Sequence, residues 1–320
     1  MNRPTTLRLL CILTIVCLCC GCEKYSFQYE DRFDEYYAQT RKADGEESGM
    51  AEDLAVLSKA EEKAFAMESN DYADLLINDT TNEVITSYHC FKKLYPASVT
   101  KIMTALLTLE NGNLNDTITL EHNTNVMEDG AVISTLVKGD TVTVEEVLRT
   151  MLVKSANDCA VILAEHICGT TEHFVEMMNK RARDLGATHT HFVNPSGLHD
   201  DDHYTTAYDL YLIFKAVVEY DTFVDFVSMK DNTMTYKNSY GQEVHEYMQS
   251  TNHYLLNEYP VPEGVVMYGG KTGTTSMANS CLILMTENEE GERFFSVVLG
   301  SKTKDTLYHS MTELLEKTLK

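Results

Sequence analysis

The chain has 320 residues, enough for one large domain or two small ones. It is 43% hydrophobic and 23% charged, ordinary values for a globular protein. Its formal charge of −23 argues against a nucleic-acid partner, because nothing offsets phosphate repulsion.

The first 22 residues differ from the rest. Arg3 and Arg8 precede an uncharged run from Leu9 to Cys20, a positive segment followed by an apolar one of signal-peptide length. A membrane-spanning helix needs about 20 apolar residues, more than this run supplies. The stretch Leu18-Cys19-Cys20-Gly21-Cys22 resembles a bacterial lipoprotein cleavage site, which makes Cys22 the expected lipidation site and a lipid the expected membrane anchor. Residues 23–62 follow, with twelve Asp/Glu against five Lys/Arg and few branched aliphatics. That composition predicts an acidic tether with some helix.

The pattern changes near residue 63, where the main domain is expected to start and run to Lys320. Tyr72–Ile77 and Glu83–Tyr88 read as two strands joined by a hairpin-like connection. Val99 to about Asn111 reads as a helix stopped by Gly112. Val144–Ile167 reads as two helices broken at the polar patch Lys154–Asp158. Phe174–Leu185 and Ala207–Tyr220 read as further helices. Ser280–Met285 and Arg293–Gly300 read as a strand pair around the acidic turn Glu287–Gly291, and Asp305–Lys317 as a closing amphipathic helix. Strands thus flank a helical block, which predicts an α+β fold with sheet strands from both chain ends. Cys90, Cys159, Cys168 and Cys281 each sit in an apolar context and are expected as buried thiols.

Three patches carry chemistry. Ser98 and Lys101 lie three apart at the start of a helix, so the amine can reach the hydroxyl. A serine needs a neighbouring base, and a lysine serves as one only when its pKa falls. The apolar run Ile102–Leu107 would desolvate Lys101. Ser155-Ala156-Asn157 offers a second hydroxyl and an amide. Lys271-Thr272-Gly273-Thr274 follows Gly269-Gly270, and glycines let a substrate backbone approach a sheet edge. Two of these patterns recur by spelling. Ser301–Lys304 stands among charges that would keep its lysine solvated, and Ser250-Thr251-Asn252 has no supporting context and reads as ordinary surface. His199 and His203 lie beside Asp200–Asp202 and read as a solvated loop, not a metal site; no cofactor is expected.

The wider context resembles a family. Tyr95-Pro-Ala-Ser-Val-Thr-Lys-Ile-Met-Thr-Ala105, Thr190–Leu198 with His203–Asp209 after it, and Gly270–Thr275 with Ala278 and Cys281 resemble signatures of the D-alanyl-D-alanine carboxypeptidases. These are the low-molecular-mass penicillin-binding proteins of peptidase family S11. The resemblance runs over roughly residues 64–320 and implies a β-lactamase/DD-peptidase-like fold with a helical subdomain. It implies that Ser98 attacks the carbonyl between two D-alanines of a peptidoglycan stem peptide, with Lys101 as base. Ser155 would relay the proton to the leaving amine, and Asn157 would hold the substrate amide. Lys271 would bind the terminal carboxylate, helped by Thr272, Gly273 and Thr274, and β-lactams would acylate Ser98. Asn279 departs from the family pattern, which has Gly there, and Ala156 stands where Gly is frequent. Some members carry a β-rich C-terminal domain; none is expected here.

Two alternatives stand beside this reading. A class A β-lactamase uses a Glu about three dozen residues past the serine relay, and no Glu lies between Glu176 and Glu219. A non-enzymatic peptidoglycan- or β-lactam-binding lipoprotein would not need Ser98, Lys101, Ser155, Asn157 and Lys271 together.

Overall fold

The sheet that anchors the molecule is built from both ends of the main domain. The computed structural model describes residues 54–57, 73–124, 126 and 131–320. These belong to a compact unit spanning Met50–Lys320. The leader, Cys22 and most of the acidic segment lie outside the described residues.

Strands β1 (Ala73–Asn78) and β2 (Glu83–Tyr88) form the expected hairpin. They join β7 (Val266–Thr275), β8 (Asn279–Glu287) and β9 (Arg293–Ser301) in one antiparallel sheet, ordered β2-β1-β9-β8-β7. Alternation along the strands divides two apolar layers. Leu75, Ile77, Ile283, Phe295 and Val297 face the main helical core. Leu76, Leu282, Leu284 and Val298 pack instead with Leu307, Met311, Leu314 and Leu315 of the closing helix, Lys304–Lys317.

Between these strands the chain forms α1 (Lys101–Asn111), α2 (Val144–Val153), α3 (Asn157–Cys168), α4 (Thr171–Asp184), α5 (Ala207–Val217) and α6 (Asp221–Val227). The closing helix is α7. Its start explains the second Ser-Lys spelling: Thr303 and Thr306 form a reciprocal cap, and Ser301 Oγ lies 2.7 Å from Thr306 Oγ1. Helix α1 is apolar on nearly every side and is buried from Lys101 to Thr108, so it forms the centre of the molecule. No helix among the described residues is long and apolar enough to cross a membrane. Cys90, Cys159 and Cys281 are buried thiols, and Cys168 is half-buried.

Three features depart from expectation. First, a second antiparallel sheet is present: β3 (Thr117–Thr119), β4 (Thr141–Thr143), β5 (Asp231–Lys237) and β6 (Glu243–Gln249). Its strands are threonine-rich or charged; Met234, Tyr236, Val142 and Met248 are buried, and Ile118 and Val244 pack partly against the core. Threonine favours strands but is not apolar, and the charged residues are poor strand formers, so no apolar–polar alternation marked these strands. Second, Lys271-Thr272-Gly273 is itself part of a strand, the edge strand β7, which pairs with the apolar strand β8 that follows it. Third, the acidic segment docks at its far end. Ala55 is buried, its N–H donates to Tyr211 Oη at 3.1 Å, and Tyr208 Oη donates to its carbonyl at 2.8 Å.

Candidate active site

Ser98 lies in a 3₁₀ turn, Ala97–Thr100, that runs directly into α1. The turn is strained, with Ala97 at φ +49°. Two glycines let other chain segments press against it. A Cβ on Gly273 of β7 would lie 2.8 Å from the Pro96 carbonyl oxygen and 2.9 Å from the Ser98 nitrogen. A Cβ on Gly197 would lie 1.9 Å from the Ala97 carbonyl oxygen. The edge strand and the Asn194–Leu198 loop can reach the serine only because both residues lack side chains.

Lys101 is wholly buried, and its Nζ donates to Ser98 Oγ at 2.8 Å, Asn157 Oδ1 at 2.7 Å and the Ser196 carbonyl at 2.6 Å. Burial pulls its pKa well below the ordinary lysine value, and the nearby Lys271 charge lowers it further. The polarity of the three acceptors matters for the neutral amine. A carbonyl oxygen and an amide oxygen can only accept, so they take the two remaining N–H groups. The lone pair is then left facing Ser98, whose hydroxyl can donate into it.

Ser155 and Asn157 sit at the break between α2 and α3, as the sequence predicts. Ser155 adopts a left-handed backbone, φ +67°, unusual for a residue with a side chain. Lys271 crosses from β7 and donates to Ser155 Oγ at 2.9 Å and to the Thr272 carbonyl at 3.0 Å. Burial lowers its pKa to about 7. Asn157 also donates from Nδ2 to the Val132 carbonyl at 3.1 Å. Thr274 is exposed on the same edge strand. Two buried amines thus bracket two hydroxyls, and the eight expected residues from Ser98 to Thr274 gather around the Ser98 turn, the Ser155 turn and the edge strand β7.

Sequence reasoning missed several groups that position these residues. The Ser196 carbonyl is one. His203 is another: it is buried, not solvated. Its Nδ1 accepts from the Val193 N–H at 3.2 Å, so Nε2 carries the hydrogen and donates to Thr100 Oγ1 at 2.9 Å. Burial lowers its pKa to about 4, which keeps the ring neutral. Asp158 accepts from Ser134 N and Oγ, and Glu246 accepts from Thr135 N, Thr135 Oγ1 and Lys154 Nζ. These contacts tie residues 132–135 to the Ser155 turn and to β6. Finally, Thr251 is not ordinary surface, because its Oγ1 lies 2.6 Å from Thr272 Oγ1. The long signature around Asn194 was the only sequence signal for any of these. Among the described residues, no group of three or more His, Cys, Asp or Glu side chains is placed to hold a metal ion.

Asn279, where the family has Gly, adopts φ +57° at the β7–β8 turn. That backbone favours Gly, and Asn is among the few other residues that tolerate it.

Comparison with known proteins places the chain in a family. The chain is 32% identical over 247 residues to a D-alanyl-D-alanine carboxypeptidase, DacF, of Bacillus subtilis, covering 76% of this chain and 60% of that one. It is 29% identical to DacC of Escherichia coli, covering 80% of this chain and 63% of that one. The chain therefore spans about three-fifths of the length of these relatives. The structure of the Streptomyces K15 DD-transpeptidase superposes with a TM-score of 0.71 at 24% identity, covering 80% of this chain and 98% of that one. That likeness shows the fold: an α+β DD-peptidase fold, as expected. The family model described as D-alanyl-D-alanine carboxypeptidase matches residues 51–303, and the chain belongs to that family, peptidase family S11.

Proposed function

We propose that this protein is a serine-type D-alanyl-D-alanine carboxypeptidase that removes the terminal D-alanine from peptidoglycan stem pentapeptides. The observation that carries the reading is the buried Lys101 amine, 2.8 Å from Ser98 Oγ with its other two hydrogens committed to acceptors. Neutral Lys101 takes the Ser98 proton as Oγ attacks the carbonyl carbon of the penultimate D-alanine. The backbone N–H groups of Ser98 and Thr274 stabilise the oxyanion. Ser155 relays to the leaving D-alanine nitrogen the proton that Lys101 took from Ser98, the peptide bond breaks, the Ser98 ester forms, and Lys101 is neutral again. Water, deprotonated by the same amine, then releases the shortened peptide and restores the serine. The charged form of Lys271, with Thr272 and Thr274, holds the terminal carboxylate, Gly273 leaves room for the substrate, and Asn157 orients its amide.

The same chemistry makes β-lactams covalent inhibitors. Among the described residues no carboxylate hydrogen-bonds to Ser98, Lys101 or Ser155, and the nearest acid in sequence, Asp158, is engaged by Ser134. The penicilloyl ester is therefore long-lived, which favours a carboxypeptidase over a β-lactamase. The leader and acidic segment support an exported enzyme held outside the cytoplasm by a lipid on Cys22, with residues 23–62 as spacer.

Release of D-alanine from a pentapeptide ending in D-Ala-D-Ala tests the activity; Ser98→Ala should abolish it and lose labelling by fluorescent penicillin. Rapid penicillin turnover would overturn the choice of reaction. Absence of labelled palmitate on Cys22, or insensitivity of processing to globomycin, would overturn the anchor.

A further inference from the structure

Thr251 lies in the Ser250-Thr251-Asn252 stretch, whose local context reads as ordinary surface. It follows β6 by two residues, yet it touches two elements of the site. Its N–H donates to the Val153 carbonyl at 3.3 Å, at the end of α2, just before the Ser155 turn. Its hydroxyl lies 2.6 Å from that of Thr272 on β7. The loop around it is held: Asn252 is buried, its N–H donates to Ser250 Oγ at 3.1 Å, and its Oδ1 accepts from the Tyr254 N–H at 3.2 Å. Thr251 is thus delivered to Thr272 by a fixed loop, not by a mobile one.

A pair of hydroxyls this close shares one hydrogen, and the other hydrogen remains available. Thr272 also presents its backbone carbonyl to Lys271 Nζ at 3.0 Å, so the ammonium folds back against the residue that carries this hydroxyl. A carboxylate arriving there can only accept hydrogen bonds.

We propose that Thr251 is a positioning residue that selects substrates with a free C-terminal carboxylate. Thr251 donates its hydrogen to Thr272 Oγ1, which occupies an acceptor site on Thr272 and aims the Thr272 hydrogen at the carboxylate beside Lys271. A carboxylate accepts from Lys271 at one oxygen and from the Thr272 hydroxyl at the other, whereas a C-terminal amide has one oxygen only and turns an N–H donor toward the second donor. This rests on the carboxypeptidase reading above and deepens it: the hydroxyl pair, and not only the lysine charge, discriminates acid from amide.

The test uses the full chain and two pentapeptides, one ending in D-Ala-D-Ala and one in D-Ala-D-alaninamide. The readout is the kcat/KM for each and the thermal midpoint. Wild type should strongly prefer the acid. Thr251→Val keeps the shape and removes the hydroxyl. It should raise KM for the acid about 5–10-fold, leave kcat within about 3-fold, and lower the acid-to-amide ratio about tenfold. Thr251→Ser should restore the ratio. A mere packing defect would slow both peptides alike and would not respond to the serine hydroxyl. An unchanged ratio in Thr251→Val, or failure of Thr251→Ser to restore it, overturns the proposal while leaving the carboxypeptidase reading intact. Failure of wild type to release D-alanine from the acid overturns that reading, and this proposal with it.

Discussion

Gly197→Ala is the sharpest single perturbation of the catalytic geometry. Gly197 has φ +84°, a backbone that costs a residue with a side chain about 1–2 kcal/mol. The added Cβ would start 1.9 Å from the Ala97 carbonyl oxygen and 2.8 Å from Thr100 Oγ1. The loop must retreat by about 1 Å to reach even a tight contact. The neighbouring Ser196 carbonyl would move with it, and its 2.6 Å bond to Lys101 Nζ would lengthen past hydrogen-bond range. Lys101 would then lose one of the two acceptors that aim its lone pair at Ser98. Misplacement on this scale costs about 100-fold in rate, or about 2.7 kcal/mol of transition-state stabilisation. The acylation rate with fluorescent penicillin measures this directly, and a thermal melt measures the fold. The expected result is a folded protein, melting several degrees lower, acylated about 100-fold more slowly. Acylation within 3-fold of wild type would refute the argument that this loop aims the base.

Other consequences follow from the same geometry. Peptide kcat/KM should trace a bell against pH: it rises as Lys101 loses its proton and falls as Lys271, with a pKa of about 7, loses the charge that holds the carboxylate. Lys271→Met should shift the acid limb of penicillin acylation to higher pH, because the Lys271 charge helps to depress Lys101. Stability has a defined sign. Lys271 has a folded pKa below its unfolded value of about 10.5, so its burial costs most below pH 7 and the cost fades as pH rises from 7 to 10.5. The melting advantage of Lys271→Met over wild type should therefore shrink over that window, and a constant advantage would contradict it. Glu246→Gln weakens the ties to Lys154 and Thr135 and should slow acylation several-fold with little loss of stability, measured by labelling and by melting. At Asn279, φ +57° makes Asn279→Gly nearly neutral and Asn279→Val destabilising by about 1–2 kcal/mol in denaturant unfolding.

How far the site was legible depends on what each residue does. Ser98, Lys101, Ser155 and Lys271 act through side chains, and their local context, three at helix starts and one in a glycine-flanked strand, carries the signal. Ser196 acts through its backbone carbonyl, which any residue possesses, so no residue type announces it. His203 reads as one more histidine in an acidic loop until burial shows both ring nitrogens engaged. Thr251 lies 21 positions before Thr272 and follows a strand of polar residues, so neither periodicity nor motif connects them. The second sheet escaped for a related reason: its inward residues are a handful among charges and threonines.

By itself, the amino-acid order determined the helical block, the strands at both chain ends and the candidate pair Ser98 and Lys101, because these follow from local periodicity and from spacing within one turn. It also explains Asn279, since only a few residue types accept a left-handed backbone. Tertiary structure alone decided that Lys271 is desolvated as well as Lys101, where the Lys101 lone pair points, and that Thr251 reaches Thr272. Those are properties of contacts between residues far apart in the chain, such as Lys101 with Asn157 and Ser196, and Lys271 with Ser155. A pKa and a hydrogen-bond direction depend on everything that surrounds a group, and that surrounding exists only once the chain has folded.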